Sequence, residues 1–303
     1  STTPASHLPP LATDRSAYAT LFLLPGCSAK AGGTQVVVEL ARALNRLGYP
    51  VKIASTRSKR KEYETFFAAD ANLFVYYEKE AELLQMAQRF QIVVATIFLS
   101  VALMKKMLQH KPSLVPMYFV QDYEPFFMDK QPEYKKEAVA SYTLIPDCHL
   151  FGISHWVKEV IAEKHQKTVH VIAPSFDQEL FYPDLARGEN PVPVISAMIR
   201  PTTPWRGPKR SMRVLKAIKD RFEDQVEIRT FGCPLTEIGG YGLETEFDFY
   251  HYEILGRRQV AQLLQASDIF LDLSDFQAFG RTALEAMACG CAVIAPQAGG
   301  VNT

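Results

Sequence analysis

The sequence has few of the residues that mark disulfide-linked or metal-binding proteins. It contains five cysteines, at positions 27, 148, 233, 289 and 291, an odd number scattered along 303 residues. No HExxH or CxxC motif is present, and the seven histidines show no metal-ligand spacing. We therefore expect reduced, mostly buried cysteines in a cytoplasmic protein, and neither a metal nor another cofactor.

Net charge and long apolar segments are absent as well. Lysine plus arginine equals aspartate plus glutamate, 33 each, and this balance argues against general nucleic-acid binding. No apolar run approaches the roughly 20 residues of a transmembrane helix. Hydrophobic residues nevertheless make up 48% of the chain, which is enough to form a sizeable core.

Apolar runs of strand length alternate with helix-length segments from residue 17 onwards. This alternation predicts parallel sheets covered by helices, an α/β fold. Prolines cluster between residues 174 and 193, as is typical of a domain boundary. We expect a flexible leader over residues 1–16, an N-terminal Rossmann-like domain over 17–185 and a C-terminal one over 186–303.

The segment 267–300 predicts one βαβ unit of a parallel sheet. Apolar runs over residues 269–273 and 291–295 flank a helix that begins near Gly280 and ends at Gly290. The glycine at the helix start lets a ligand approach the backbone closely. The alternative is an ordinary βαβ unit of some other Rossmann-like protein.

The start of this helix has the chemistry of a phosphate site. Phe279, Gly280, Arg281 and Thr282 place backbone N–H groups and one guanidinium at the positive end of a helix dipole. Glu285 follows within the same helix, and its carboxylate can accept two hydrogen bonds from a vicinal diol such as ribose. These residues predict a site for a nucleotide diphosphate.

Residues 279–296, followed by a Gly-Gly pair, resemble the donor-site signature of family 4 retaining glycosyltransferases of the GT-B fold. In that family the signature carries two glutamates separated by seven residues. Glu285 matches the second, for which the resemblance implies ribose binding, and Gln277 stands at the position of the first. The resemblance implies two Rossmann-like domains that face each other across a cleft, a nucleotide diphosphate sugar as donor and no dissociable metal. It also implies that 186–303 is a truncated donor domain.

The resemblance extends to two further loops. Gly32, Gly33 and Thr34 follow the first predicted strand, and their backbone amides are expected near the donor. The alternative there is a tight turn without a ligand, because no GxGxxG motif is present. After the strand over 192–198, Arg200 fits the role of a diphosphate-binding arginine. Arg206 or Lys209 fits the role of the cation that follows it, and the alternative is a basic, solvated loop.

Asp122 follows the predicted strand over residues 115–120, at the carboxyl end where α/β folds build their sites. We expect it to receive the acceptor's hydroxyl proton or to hold the acceptor. The alternative is a helix-start cluster with Asp122 as the cap. The run 121–127 resembles one in bacterial surface-polysaccharide rhamnosyltransferases. A basic run over 56–61 either contacts anionic lipid or a lipid-linked acceptor, or is a solvated helix end.

Together with these patterns, the resemblance implies a metal-independent, retaining hexosyltransferase with Asp122, Arg200, Arg206 and Glu285 as its catalytic set. We expect it to transfer a hexose or deoxyhexose, best matched by L-rhamnose, to a hydroxyl of a bacterial cell-surface glycan or lipid-linked glycan such as O-antigen. It would act in the cytoplasm or at the inner face of the membrane, without nucleic acid. The alternatives are a nucleotide-sugar epimerase or a phosphorylase of the same fold, and a non-catalytic subunit that binds nucleotide sugars.

Overall fold

The structure is a computed structural model, and it describes residues 14–302. The chain divides into two compact units. The first comprises the residues up to Gly152 together with Lys158–Val171, and the second comprises Ile153–Val157 together with the residues from Ile172 onwards. The predicted domain boundary between residues 185 and 186 lies within the segment that joins the two sheets.

The predicted leader, residues 1–16, lies almost entirely outside the described residues. Asp14, the first described residue, accepts hydrogen bonds from the backbone N–H and the hydroxyl of Ser16 and caps a 3-10 helix at Arg15–Tyr18. Because this helix occupies the start of the first predicted strand, the strand begins only at Thr20.

The first unit contains a seven-stranded parallel sheet in the order β3-β2-β1-β4-β5-β6-β7. Its strands are β1 Thr20–Leu23, β2 Val51–Thr56, β3 Phe74–Tyr77, β4 Ile92–Ala95, β5 Val115–Val120, β6 His149–Gly152 and β7 Val169–Val171. The α-helices that connect them are α1 Gly32–Arg46, α2 Arg60–Phe66, α3 Glu80–Ala87, α4 Phe98–His110, α5 Pro132–Ser141 and α6 His155–His165.

The second unit contains a five-stranded parallel sheet in the order β10-β9-β8-β11-β12. Its strands are β8 Val194–Met198, β9 Glu227–Phe231, β10 Tyr250–His251, β11 Ile269–Leu271 and β12 Ala292–Ile294. Its α-helices are α7 Pro208–Phe222, α8 Leu235–Gly240, α9 Arg257–Gln265 and α10 Arg281–Ala288.

Hydrophobic cores lie on both faces of the second sheet, as parallel sheets require. Successive residues of β11 alternate between them: Phe270 packs in one core and Leu271 in the other. The predicted α/β fold with two parallel sheets is confirmed. The cysteines are free as expected, and the three at positions 233, 289 and 291 are buried.

Across residues 14–302, no helix combines the length and the apolar character that crossing a membrane requires.

Candidate functional site

The strand order reverses once in each sheet. In the second unit, β8 has β9 and β10 on one side, whereas β11 and β12 lie on its other side. The reversal therefore falls between β8 and β11. In the first unit it falls between β1 and β4. Ligands of open α/β sheets bind beyond the carboxyl ends of the strands at such a point. All the predicted donor-site residues lie in loops or helix starts that follow β1, β8 or β11.

The loops that follow β8 and β11 are tied to each other. The backbone N–H of Asp275 donates to the carbonyl of Trp205 at 2.7 Å. Arg210, in the first turn of α7, donates to the carbonyl of Leu273 at 2.5 and 2.9 Å and to a carboxylate oxygen of Asp275 at 2.7 Å. Gly207, with φ of 60°, precedes α7, and a side chain there would clash with the Leu273 carbonyl. These contacts hold both loops at the carboxyl edge of the sheet.

The predicted diphosphate cations follow β8 closely. Arg200 is exposed, and its Nε donates weakly to the sulfur of Met198 at 3.4 Å. Arg206 is half-buried and ends a 3-10 helix, Pro204–Arg206, while Lys209 is exposed in the first turn of α7. The structure thus brings the three predicted cations into one loop and the helix start after it. Sequence analysis missed Arg210, whose structural role became visible only through its contacts with the other loop.

The helix α10 begins where two backbones pack closely. Gly280, with φ of 80°, is its N-cap residue, and a Cβ there would lie 2.5 Å from a methyl group of Val301. The backbone N–H of Gly300 donates to the carbonyl of Gln277 at 2.7 Å, and a Cβ on Gly299 would clash with that residue. This approach explains why glycines occupy these positions. The helix ends at Ala288 with Cys289 as its C-cap, and Gly290, with φ of 92°, follows as the predicted C′ glycine.

Glu285 is only 4% exposed, and one of its oxygens is held by two arginines. Oε1 accepts from Nε of Arg281 at 3.0 Å and from Nη1 of Arg257, the first residue of α9, at 3.1 Å. The Arg257 guanidinium also lies 5.0 Å from the ring centre of Phe181. Burial raises the pKa of Glu285, and the two guanidinium groups oppose this shift. The sequence predicts a carboxylate that accepts two hydrogen bonds from a diol, and in the structure its Oε1 already has two donors. Arg257 was not predicted, because it lies on another helix.

Gln277 lies in the loop after β11 and contacts the residues that end this strand. Its Nε2 donates to Oδ2 of Asp272 at 2.6 Å and to Oγ of Ser274 at 3.2 Å. Asp272 Oδ1 in turn accepts from the hydroxyl of Ser274 at 2.5 Å and from its backbone N–H at 3.0 Å. Asp272 was seen in the sequence only as part of a strand end. The Asp-x-Ser spacing after a strand is typical of an Asx-turn, and it could have predicted the contact between Asp272 and Ser274.

In the first unit the predicted donor loop leads directly into α1. Gly32 and Gly33 are the first two residues of α1. A Cβ on Gly33 would lie 2.9 Å from the side-chain oxygen of Gln121. Thr34 is 2% exposed, so its side chain faces the interior and only its backbone is left near the helix start. The loop therefore offers backbone N–H groups more than side chains.

Two consecutive residues of α2 hold this loop in place. Glu62 Oε1 accepts from the backbone N–H of Ala29 at 2.7 Å and from the Ser28 hydroxyl at 3.1 Å. The hydroxyl of Tyr63 donates to the carbonyl of Cys27 at 2.8 Å. Hydrogen bonds from Lys59 and Ala29 lower the pKa of Glu62 to about 2. Sequence analysis did not assign a role to Glu62.

Asp122 is half-buried after β5, and its Oδ1 accepts from the neighbouring backbone N–H of Tyr123 at 2.8 Å. It is not the cap of the 3-10 helix Glu124–Phe127, for which Tyr123 is the N-cap residue. Glu124 Oε2 accepts from the backbone N–H of Phe98 at the start of α4, at 2.8 Å. Burial raises the pKa of Glu124 to about 7, and the nearby Asp122 adds to this shift.

Three basic residues of the run over residues 56–61 form ion pairs with nearby glutamates. Arg57 pairs with Glu82 at 3.4 Å, and Lys59 with Glu62 at 2.8 Å. Arg60 pairs with Glu64 at 2.8 Å. Pairs of this kind are typical of a solvated helix end. Within residues 14–302, no group of three or more histidine, cysteine, aspartate or glutamate side chains is arranged to hold a metal ion.

Comparison with known proteins places these features in context. The family described as glycosyl transferases group 1 matches residues 188–303. A search of curated protein sequences gives no significant match. Similar solved structures include HepE of Anabaena in complex with UDP-glucose, which has a TM-score of 0.71 and 16% identity over 94% of this chain and 82% of that one.

Two further solved structures are similar in fold. Sucrose-phosphate synthase from Thermosynechococcus elongatus has a TM-score of 0.67 and 14% identity over 94% of this chain and 82% of that one. The lipopolysaccharide outer core galactosyltransferase WaaB has a TM-score of 0.62 and 15% identity over 93% of this chain and 81% of that one. The chain therefore has the GT-B fold of these proteins, and its residues 188–303 are similar to glycosyl transferases group 1.

Proposed function

We propose that the protein is a glycosyltransferase that moves a hexose or deoxyhexose from a nucleotide diphosphate sugar to a hydroxyl acceptor. The observation that carries this proposal is the reversal of strand order between β8 and β11. A cationic loop and a glycine-capped helix start meet there, within the region that is similar to glycosyl transferases group 1. HepE, solved with UDP-glucose, supports a nucleotide sugar as donor.

The diphosphate would bind to the cations after β8 and to the start of α10. Arg200, Arg206 and Lys209 can donate charge-assisted hydrogen bonds to phosphate oxygens. The first backbone N–H groups of a helix have no partner within the helix, and they carry partial positive charge. As the glycosidic bond lengthens, negative charge grows on the leaving diphosphate. Preorganised hydrogen-bond donors around the diphosphate therefore stabilise the transition state more than the bound substrate.

The nucleoside would lie near Glu285. A carboxylate accepts hydrogen bonds from the two hydroxyls of a ribose. The hold of Arg257 and Arg281 on Oε1 fixes the orientation of the carboxylate before the ligand arrives. Phe279 and Thr282, both half-buried, flank the start of the same helix and complete the proposed donor contacts.

The acceptor would lie in the first unit. Asp122, at the carboxyl end of β5, would accept the hydroxyl proton or hold the acceptor. Gly32, Gly33 and Thr34 would offer backbone N–H groups to the donor, as the resemblance implies. We propose a bacterial cell-surface glycan or a lipid-linked glycan such as O-antigen as acceptor. The protein would work in the cytoplasm, either free or peripheral to the inner face of the membrane.

For the donor we propose L-rhamnose on deoxythymidine diphosphate. Gln277 stands where a charged residue would be expected from the resemblance, and an uncharged side chain suits a different pattern of hydroxyls. A pocket formed around a methyl group rejects a hydroxymethyl group by only about 1–3 kcal/mol, so the enzyme would also accept glucose slowly. We further propose transfer with retention at the anomeric carbon and without a divalent metal.

The experiment begins with a thermal-shift screen of deoxythymidine-diphospho-L-rhamnose, UDP-glucose and guanosine-diphospho-mannose. A ligand at 100 times its dissociation constant adds about 2.7 kcal/mol of stability, which is detectable. Release of nucleotide diphosphate and the anomeric configuration of the product are then measured with and without a chelator. Arg221→Ala, at the far end of α7, is the matched control for Arg200→Ala.

Each outcome separates the alternatives. Transfer in the presence of chelator, with the anomeric configuration kept, supports the proposal. Binding without turnover indicates a non-catalytic subunit, interconversion of the sugar without transfer indicates an epimerase, and dependence on inorganic phosphate indicates a phosphorylase. A preference for UDP-glucose would refute rhamnose as donor and leave glycosyl transfer intact.

A further inference from the structure

The amide of Gln277 has only one orientation that satisfies its neighbours. Its nitrogen lies 2.6 Å from Oδ2 of Asp272, and a carboxylate oxygen can only accept a hydrogen bond there. If the amide were turned over, two oxygens would face each other at this distance. The contact with Ser274 Oγ at 3.2 Å satisfies a second N–H of the same amide.

The carboxylate of Asp272 is itself held in place. Its other oxygen, Oδ1, accepts from the hydroxyl of Ser274 at 2.5 Å and from the backbone N–H of Ser274 at 3.0 Å. The backbone N–H of Asp272 donates to the carbonyl of Ile294 on the neighbouring strand at 2.8 Å. The acceptor that orients Gln277 is therefore fixed to the sheet and does not depend on a ligand.

The carbonyl oxygen of Gln277 is left for another partner. Among residues 14–302 this Oε1 accepts no hydrogen bond, and the side chain is only half-buried. The residue lies in the loop after β11, beside the reversal of strand order between β8 and β11. A ligand bound at this edge would meet an oxygen that accepts but cannot donate.

We propose that Asp272 is a positioning residue that fixes Gln277 so that its carbonyl oxygen accepts a hydrogen bond from a hydroxyl of the donor sugar. This inference rests on the proposed function, since it requires a nucleotide sugar at this edge. The charge of Asp272 stays behind the amide, so that the ligand meets a neutral oxygen. A neutral acceptor avoids repulsion of the negatively charged diphosphate that the sugar carries.

Single and paired substitutions at positions 272 and 277 should have opposite effects on sugar binding. In D272N, the backbone N–H of Ser274 still needs an acceptor, so the new amide nitrogen takes the place of Oδ2 and faces Gln277. Gln277 must then turn over and present N–H groups to the sugar. In Q277E, two carboxylates would meet at the 2.6 Å contact and repel each other.

The double variant D272N/Q277E restores a matched pair. The asparagine nitrogen donates to one glutamate oxygen, and the other glutamate oxygen faces the ligand as an acceptor. This variant therefore keeps both the internal hydrogen bond and the acceptor towards the sugar, although it adds a charge to the exposed oxygen. The cycle tests the orientation of the amide and not merely the presence of a side chain.

The experiment measures dissociation constants of UDP-glucose against UDP, and of deoxythymidine-diphospho-L-rhamnose against deoxythymidine diphosphate. We expect D272N and Q277E each to weaken the tighter-binding sugar nucleotide on the order of tenfold, and the double variant to recover most of this loss. In every variant the affinity for the nucleotide diphosphate alone should change less than the affinity for the sugar nucleotide, because the nucleotide diphosphate lacks the sugar and meets only the change in charge. Thermal unfolding of each variant shows whether the fold is kept.

Four results would overturn the inference. Equal loss of affinity for nucleotide diphosphate and sugar nucleotide would show that Asp272 only supports the loop. Unchanged affinity of D272N for the sugar nucleotide would show that the amide does not face the sugar, and a double variant no better than the singles would show that orientation is not what matters. Failure of the unaltered protein to bind any of these nucleotides would refute the proposed function, and this inference with it.

Discussion

Arg257 and Glu285 form an ion pair between two helices of the second unit, with Nη1 of the arginine 3.1 Å from Oε1 of the glutamate. Arg281 donates to the same oxygen from within α10. The carboxylate is buried, and a buried charge that loses a partner is costly because water cannot replace it. The pair therefore links the stability of α9 and α10 to the geometry of the proposed ribose contact.

Arg257→Ala should lower the free energy of unfolding by about 1–3 kcal/mol, because Glu285 keeps only one cationic partner. Urea unfolding followed by circular dichroism measures this change. Arg258→Ala, at the exposed neighbouring position, is the control and should change stability by less than about 0.5 kcal/mol. Equal effects of the two substitutions would contradict a structural role for the pair.

Glu285→Ala should weaken binding of the nucleotide diphosphate on the order of ten- to a hundredfold, because a hydrogen bond to a carboxylate is worth about 1.5–3 kcal/mol. Isothermal titration with the nucleotide alone measures the loss. Since the substitution also leaves two arginines without their carboxylate, Glu285→Gln is needed as the milder variant. Unchanged nucleotide affinity in both variants would show that Glu285 does not hold the ribose.

Arg200→Ala should lower turnover more than it weakens donor binding, because charge on the diphosphate grows as the glycosidic bond breaks. Steady-state kinetics give kcat and KM, and direct titration gives the dissociation constant of the donor. A raised KM with kcat unaltered would indicate that Arg200 contributes to binding alone.

The pKa of Glu124, raised to about 7 by burial, predicts how stability depends on pH. The folded state then binds more protons than the unfolded state between the ordinary glutamate pKa and pH 7. Stability should therefore fall as pH rises through this window. Glu124→Gln should remove this fall, so that the variant gains stability relative to the unaltered protein above pH 7. Unfolding is measured for both proteins at intervals of about one pH unit between pH 4.5 and 8. If the stabilities of the variant and the unaltered protein change in parallel with pH, the prediction is contradicted.

The pKa of Glu62, lowered to about 2, makes stability depend on pH in the opposite direction. Its contribution to stability is present above the ordinary glutamate pKa and is lost as pH falls towards 2. Glu62→Ala should also release the loop at Ser28 and Ala29, seen as faster hydrogen exchange of the Ala29 amide. Glu64→Ala, on the same helix but paired with Arg60, should leave this amide protected. Equal exchange in both variants would show that Glu62 does not hold the loop.

Much of the fold follows from local patterns in the sequence. Apolar runs of four to six residues between glycines and prolines located the strands, and Gly280 and Gly290 located the ends of α10. These signals are local because hydrophobic periodicity and backbone conformation act within a few residues. The sequence motif around α10 also indicated a phosphate-binding helix start, because that chemistry depends on consecutive residues.

Other features were decided only by the tertiary structure. The order of the strands, the pairing of Arg257 with Glu285 and the burial of Glu124 all depend on residues far apart in the chain. The orientation of the Gln277 amide depends on a carboxylate that no periodicity marks as its partner. Burial and pairing set the charge and direction of a side chain, and they arise only when distant segments pack together. The sequence therefore determined which residues lie near the candidate site, and the packing determined which of their atoms a ligand would meet.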